Sequence, residues 1–128
     1  SGAAGGLSAG AMAFMNASFV SGIEKVMEFT SLNSELPSAD WIISGEGSFD
    51  SQSLRGKVIS GIAKKARSSN TKMAVIAGKV SVPRATYQKI GIEIALPCAD
   101  ETMTTELAIK NCKPLLQKTA RTLATKYL

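Results

Sequence analysis

The chain has 128 residues, 45% of them hydrophobic and 20% charged, which is the size and composition of one ordinary globular domain. Its net charge of +5 comes from fifteen lysines and arginines interspersed with ten acidic residues in no basic run, which argues against a dedicated nucleic-acid-binding arm. Histidine is absent, so Ser/His/Asp and Cys/His catalysis are excluded and any proton transfer must use carboxylate, lysine or water.

The chain starts with Ser1-Gly2-Ala3-Ala4-Gly5-Gly6, inside a glycine-rich motif rather than on a methionine or leader, and is therefore expected to be part of a larger protein. Leu7, Ala11, Phe14 and Met15 then recur at helical spacing, predicting a helix from about Gly6 to Asn16. A second helical run opens at Gly22, passes through Ile23, Val26 and Met27, and ends near Leu32, where Asn33 and Ser34 signal a turn. Met12, Met15, Met27 and Phe29 read as core filling. Pro37 and Ser38 belong to the loop before Trp41-Ile42-Ile43, a short apolar run expected of a strand buried on both faces.

A loop of glycines, two carboxylates and a lysine is expected from Gly45 to Lys57. The segment from Gly56 to Arg67 is a predicted surface helix with Val58, Ile59, Ile62, Ala63 and Ala66 on its buried stripe, while Lys64, Lys65, Arg67 and the following Lys72 read as solvated. Met73 to Ala77 is the second strand, stopped by Gly78. A short helix through Tyr87 and Ile90 lies between Pro83 and Gly91, and Ile92 to Leu96 is the third strand, closed by Pro97. Helices between the strands imply right-handed crossovers and a parallel sheet: an α/β fold of three short parallel strands flanked by helices. Three strands make a thin sheet for such a fold, which again suggests part of a larger domain.

From about Thr104 the chain is helical again. Asn111 is placed to end one helix and cap the next, which leaves Pro114 in a first turn where its missing N–H does no harm. Leu116, Ala120, Leu123 and Tyr127 form the expected buried face. Cys98 and Cys112 have no CxxC spacing and read as reduced thiols, no apolar run approaches the roughly 20 residues that span a bilayer, and a cytoplasmic protein without membrane contact is expected.

The segment from Gly45 to Lys57 carries the chemistry. Gly45-Glu46-Gly47-Ser48-Phe49-Asp50 begins like a dinucleotide fingerprint, but a carboxylate stands where the third glycine belongs. Gly56-Lys57 is followed by Val58 rather than Ser or Thr, so it is no P-loop. Glu46 and Asp50 could hold Mg²⁺ through water, or one could take a proton from a substrate hydroxyl, with Lys57 neutralising phosphate. In the plainer reading Asp50 and Ser51 cap the following turn and Glu46 is solvated. Gly2, Gly5 and Gly6 could offer backbone amides to a phosphate or simply permit close helix packing. Lys79, just past the second strand, could line the same site or be solvated.

Gly2-Ala3-Ala4-Gly5-Gly6-Leu7, then Ser44-Gly45-Glu46-Gly47 with Asp50, Gln52, Ser53, Gly56 and Lys57, then Ile76-Ala77-Gly78, resemble in order the C-terminal part of the bacterial glycerate kinases. The resemblance covers essentially the whole chain, and its central motif is specific. It implies ATP-dependent, Mg²⁺-assisted phosphorylation of D-glycerate to a phosphoglycerate, with 2-phosphoglycerate favoured. It also implies a Rossmann-like domain assembled from N-terminal and C-terminal segments around an inserted second domain. This chain would be the C-terminal segment, inactive without the missing N-terminal part. Carried across by position, Glu46 and Asp50 would serve metal or hydroxyl and Lys57 phosphate, with Gly5, Gly6, Gly45, Gly47, Gln52 and Lys79 binding substrate or phosphate. Many members carry Arg at the position of Ser48 and Gly at that of Ser8, so that arginine's charge must come from elsewhere, such as Arg55 or Lys79. An alternative from another class is a non-catalytic α/β module that binds a phosphorylated small molecule.

Overall fold

A computed structural model describes residues 3–55 and 57–128, with the side chains of Ala3, Arg55 and Lys57 left aside. Ser1, Gly2 and Gly56 lie outside the described residues, so the readings placed on Gly2 and Gly56 receive no structural account. Strands β1 (Trp41–Phe49), β2 (Lys72–Val80) and β3 (Ile94–Pro97) form one parallel sheet in the order β1-β2-β3. The fold class is thus as the sequence predicts, α/β with three parallel strands.

The helices are α1 (Leu7–Met15), α2 (Gly22–Phe29), α3 (Leu32–Glu35), α4 (Ser51–Arg55), α5 (Lys57–Ser68), α6 (Arg84–Lys89), α7 (Thr105–Lys110) and α8 (Cys112–Lys126). They cover the sheet on both faces. On one, Ile59, Ala63 and Ala66 of α5 and Tyr87 of α6 meet Met73, Val75 and Ala77 of β2 and Ala95 of β3. On the other, Leu123 of α8 meets Ala74, Ile76 and Ile94, with Trp41 and Leu96 packed alongside. Burial on two faces explains why β2 is apolar at five successive positions, Met73 to Ala77. Thr71, just before β2, donates its hydroxyl to the carbonyl of Leu36 at 2.7 Å, tying the segment after α3 to the amino end of the sheet.

Two strands run further than their apolar cores suggest. The segment Gly45–Phe49, expected as a loop, is the second half of β1, with Gly45 paired to Ile76, Glu46 to Ala77, Ser48 to Lys79 and Phe49 to Val80. Gly78 and Lys79 likewise lie inside β2 and not beyond it. Parallel pairing with a neighbour holds these residues extended, and it overrides the loop preference of glycine and serine.

Three expected faces are also corrected. Val58 is half exposed while Ile59, Ala63 and Ala66 are buried, so the stripe on α5 starts one residue later. On α8 only Leu123 of the expected set is buried; Thr119 joins it, whereas Leu116, Ala120 and Tyr127 are exposed, because the sheet touches a narrow strip of this helix. Of the four residues read as core filling, Met27 is buried but Met12, Met15 and Phe29 are exposed, since among the described residues no element encloses α1 and the end of α2. Asn111 does precede α8, with Pro114 in the first turn, but its amide donates backward to the carbonyl of Leu107 at 2.9 Å.

Candidate active site

At the carboxyl ends of the three strands lies a groove of about 1100 Å³. Its floor runs from Gly45 to Ser48 and from Ile76 to Ser81; one wall continues from Pro97 to Glu101, and α7 and α8 contribute Ile109, Cys112, Leu115 and Leu116. This is the edge at which open α/β sheets bind ligands, because the chain leaves each strand there into a connection free to vary. Glu46 is half-buried in this floor, and Lys79 is an exposed cation on the neighbouring strand. Glu46 and Lys79, on adjacent strands, thus line the groove together with a largely apolar helical wall.

The glycines of the floor differ in kind. A side chain built on Gly78 would meet the Gly47 carbonyl oxygen at 2.6 Å, closer than any real contact, so the strands can approach here only without one. A side chain on Gly47 would meet nothing within 4 Å, and one on Gly45 would only reach the Ile76 carbonyl at 4.0 Å. The fold itself does not demand glycine at 45 or 47. What it leaves there is bare backbone facing the groove.

At the same level the side-chain alternation of both strands slips by one residue. Ile42 in β1 and Met73, Val75 and Ala77 in β2 pack toward α5; strict alternation sends Ser44 and Glu46 the same way, and would then send Ser48 and Lys79. Phe49 and Val80 take that place, and Phe49 is fully buried with its ring centroid 6.1 Å from that of Tyr87. The slip is shared, so the register survives it.

Asp50 follows β1 directly. Its Oδ1 accepts the backbone N–H groups of Gln52 at 2.8 Å and Ser53 at 3.1 Å, the geometry of a side chain capping the first turn of α4. These bonds, that from Ser53 foremost, hold its carboxyl below the usual aspartate value, so it is ionised at neutral pH. The Ser53 hydroxyl donates to the Ser48 carbonyl at 2.8 Å and ties the turn back to the groove floor. The capping reading of Asp50 is thereby realised.

The expected site residues therefore separate. Gly45, Glu46, Gly47 and Lys79 come together in the groove, whereas Asp50, Gln52, Gly5 and Gly6 do not line it. Gly5 and Gly6, with φ of 64° and 84°, form the left-handed turn that leads into α1. Lys57 is the first residue of α5, and its side chain lies outside the described residues. Sequence reasoning passed over the connection after β3, where Cys98, Asp100 and Glu101 line the groove. The rule that ligands gather at strand carboxyl ends applied to β3 as much as to β1 and could have found it. Asp100 accepts from the Thr102 hydroxyl at 2.6 Å and backbone N–H at 2.9 Å, which lowers its pKa. Among the described residues no cluster of three or more His, Cys, Asp or Glu could hold a metal ion.

Comparison with known proteins agrees with this architecture. The model of the glycerate kinase family matches residues 1–128. The chain belongs to the glycerate kinase family. It is 34% identical over 123 residues to a glycerate kinase of Halalkalibacterium halodurans, covering 96% of this chain and 32% of that one. It is 32% identical over 123 residues to the glycerate 2-kinase of Escherichia coli K12, with the same coverage of both. The crystal structure named for glycerate kinase 2 from Salmonella typhimurium LT2 superposes with a TM-score of 0.67 at 30% identity, over 97% of this chain and 32% of that one. The chain thus spans about a third of the length of these glycerate kinase relatives. No helix among its described residues is long and apolar enough to cross a membrane.

Proposed function

We propose that this chain supplies one wall of the active site of an ATP-dependent kinase that phosphorylates a hydroxyl of D-glycerate, giving 2-phosphoglycerate. The observation that carries the reading is the groove at the strand ends, with the bare backbone of Gly45 and Gly47 on either side of Glu46, in a chain of the glycerate kinase family. In this reading the chain is the C-terminal segment of a Rossmann-like domain in a cytoplasmic enzyme, and the N-terminal segment and an inserted domain complete the site.

Phosphoryl transfer needs positioning and charge neutralisation more than covalent help from the protein. Gly45 and Gly47 let phosphate or glycerate rest on backbone amides, Lys79 from β2 and Lys57 at the head of α5 offset anionic oxygens, and Glu46 orients the attacking hydroxyl and takes up its proton. Asp50 serves by holding α4, with Gln52, against the end of β1. Gly5 and Gly6 are the second glycine element for phosphate. Mg²⁺ suits Glu46 because it prefers oxygen ligands and is commonly held by one or two carboxylates plus substrate phosphates and water; when bound it neutralises phosphate charge.

The test is turnover of the full-length protein with ATP, Mg²⁺ and D-glycerate, with the product isomer read by ³¹P NMR. Formation of 2-phosphoglycerate by the full-length enzyme, with none from the 128-residue chain alone, is the expected result. A full-length protein that binds a phosphorylated ligand but turns nothing over would instead be a non-catalytic binding module. Glu46→Gln should lower kcat by roughly a hundredfold or more while leaving the fold intact.

A further inference from the structure

We infer that Gly78, which lies on the neighbouring strand and is one step removed from the proposed chemistry, is a positioning residue for the segment 45–48. This rests on the proposed kinase reading.

The contact at this level is asymmetric. β2 is pinned from its other side, where the Ala77 carbonyl accepts the N–H of Cys98 at 2.7 Å and the Gly78 carbonyl accepts that of Ala99 at 3.1 Å. β1 is an edge strand of the described sheet, so nothing in that sheet supports its outer side. Its far end is anchored all the same, because Phe49 is fully buried against the α5-side core and paired with Val80. Between that anchor and the apolar start of the strand, the backbone from Gly45 to Ser48 is held by its pairing with β2 and by the Ser53 hydroxyl on the Ser48 carbonyl.

A methyl group on Gly78 would sit 2.6 Å from the Gly47 oxygen and 3.6 Å from its carbonyl carbon. Backbone cannot rotate away as a side chain tip can. With β2 held and Phe49 anchored, the displacement falls on 45–48, which is the groove floor and includes Glu46. The shared slip in alternation belongs to the same device. It turns Phe49 and Val80 into the core one residue past the glycines, and so fixes where the floor ends.

The experiment uses the full-length enzyme with D-glycerate and ATP varied separately, kinetic constants and melting temperature being measured for each variant at a temperature where it is folded. Gly78→Ala should lower kcat/KM roughly tenfold or more through a displaced floor, with the loss divided unequally between KM and kcat. Ile59→Val, in the same core cluster but on α5, is the control: it lowers the melting temperature and leaves kcat/KM within about twofold of wild type. Should Gly78→Ala fail to fold, Phe49→Leu decides, since it loosens the anchor without adding a clash and should lower kcat/KM roughly threefold or more. If the decisive variant instead matches Ile59→Val in kcat/KM, Gly78 serves stability alone and the inference is overturned. A wild-type enzyme that does not phosphorylate glycerate would overturn the kinase reading first, and this inference with it.

Discussion

The hydroxyl of Thr71 donates to the carbonyl of Leu36 at 2.7 Å, across 35 residues of sequence, and both residues are buried. This bond lies at the amino end of β2, the opposite end of the strand from the groove. Thr71→Val leaves the Leu36 carbonyl buried without its donor and should cost about 1–3 kcal/mol. Urea unfolding measures the loss. Because the change is remote from Glu46 and Lys79, KM and kcat of the full-length enzyme should not move with it.

Asp50 gives a pH dependence whose sign follows from its cap. Its folded-state pKa lies below the unfolded value, chiefly because of the hydrogen bond from the Ser53 N–H. The carboxylate therefore adds stability above the unfolded pKa, and that contribution fades as pH falls through the folded pKa. Asp50→Ala should lower the melting temperature at neutral pH and leave it nearly unchanged in strong acid. Asp50→Asn, which can still accept the amide bonds, should fall between them. A melting-temperature series from neutral to acidic pH checks the order, and equal losses at all pH values would exclude a charged cap.

The cores of the strands were readable because residues such as Met73 to Ala77, buried from both faces, leave an uninterrupted apolar run. Their carboxyl ends were not, since Gly45 to Ser48 and Gly78-Lys79 look like loop by composition and become strand only through each other. Pairing belongs to two segments at once, and no window on one of them contains it. The same limit applied to helix faces. The spacing of Leu7, Phe14 and Met15 predicted a helix correctly, but which side of it is covered depends on neighbours, and in this chain that side is open. That Glu46 stands at the end of a strand was legible; that Asp50 caps the turn while Asp100 and Glu101 line the groove required the fold.

Gly47 supplies a contrast to Gly78. A methyl group there meets nothing within 4 Å, so Gly47→Ala should leave the melting temperature close to wild type. If a ligand rests on this backbone, the same change should lower kcat/KM roughly tenfold or more. Unaltered kinetics would place the ligand elsewhere in the groove.

The two cysteines provide a direct probe of occupancy. Cys112 is exposed and Cys98 half-buried, and both line the groove. A bulky maleimide should label Cys112 faster than Cys98, and saturating nucleotide and glycerate should slow labelling of both in the full-length enzyme. Mass spectrometry of the digested protein reads each site separately. Equal labelling with and without ligand would contradict the assignment of this groove as the substrate site.

Among the described residues fifteen large hydrophobic side chains are exposed, including Leu7, Phe14 and Met15 of α1, Phe19, and Phe29 at 86%. Exposed apolar surface of this extent on a small protein favours association. The isolated 128-residue chain should therefore self-associate, with a molar mass by light scattering that rises with concentration, and Phe14→Ser with Phe29→Ser should reduce that rise. A strictly monomeric chain at high concentration would show that α1 and α2 fold back on themselves in solution.

The order β1-β2-β3 leaves the sheet two places to grow, and they are unequal. β3 offers four residues, too short a rail for more than a brief partner, whereas β1 offers nine. A further strand laid parallel on β1 would deliver its own last residues beside Gly45 and Gly47, and the connection leaving it would open onto the same groove. Laid antiparallel, it would bring its first residues there instead. The direction of one added strand thus decides whether the groove gains a strand exit, where side chains can be varied freely, or a strand entry.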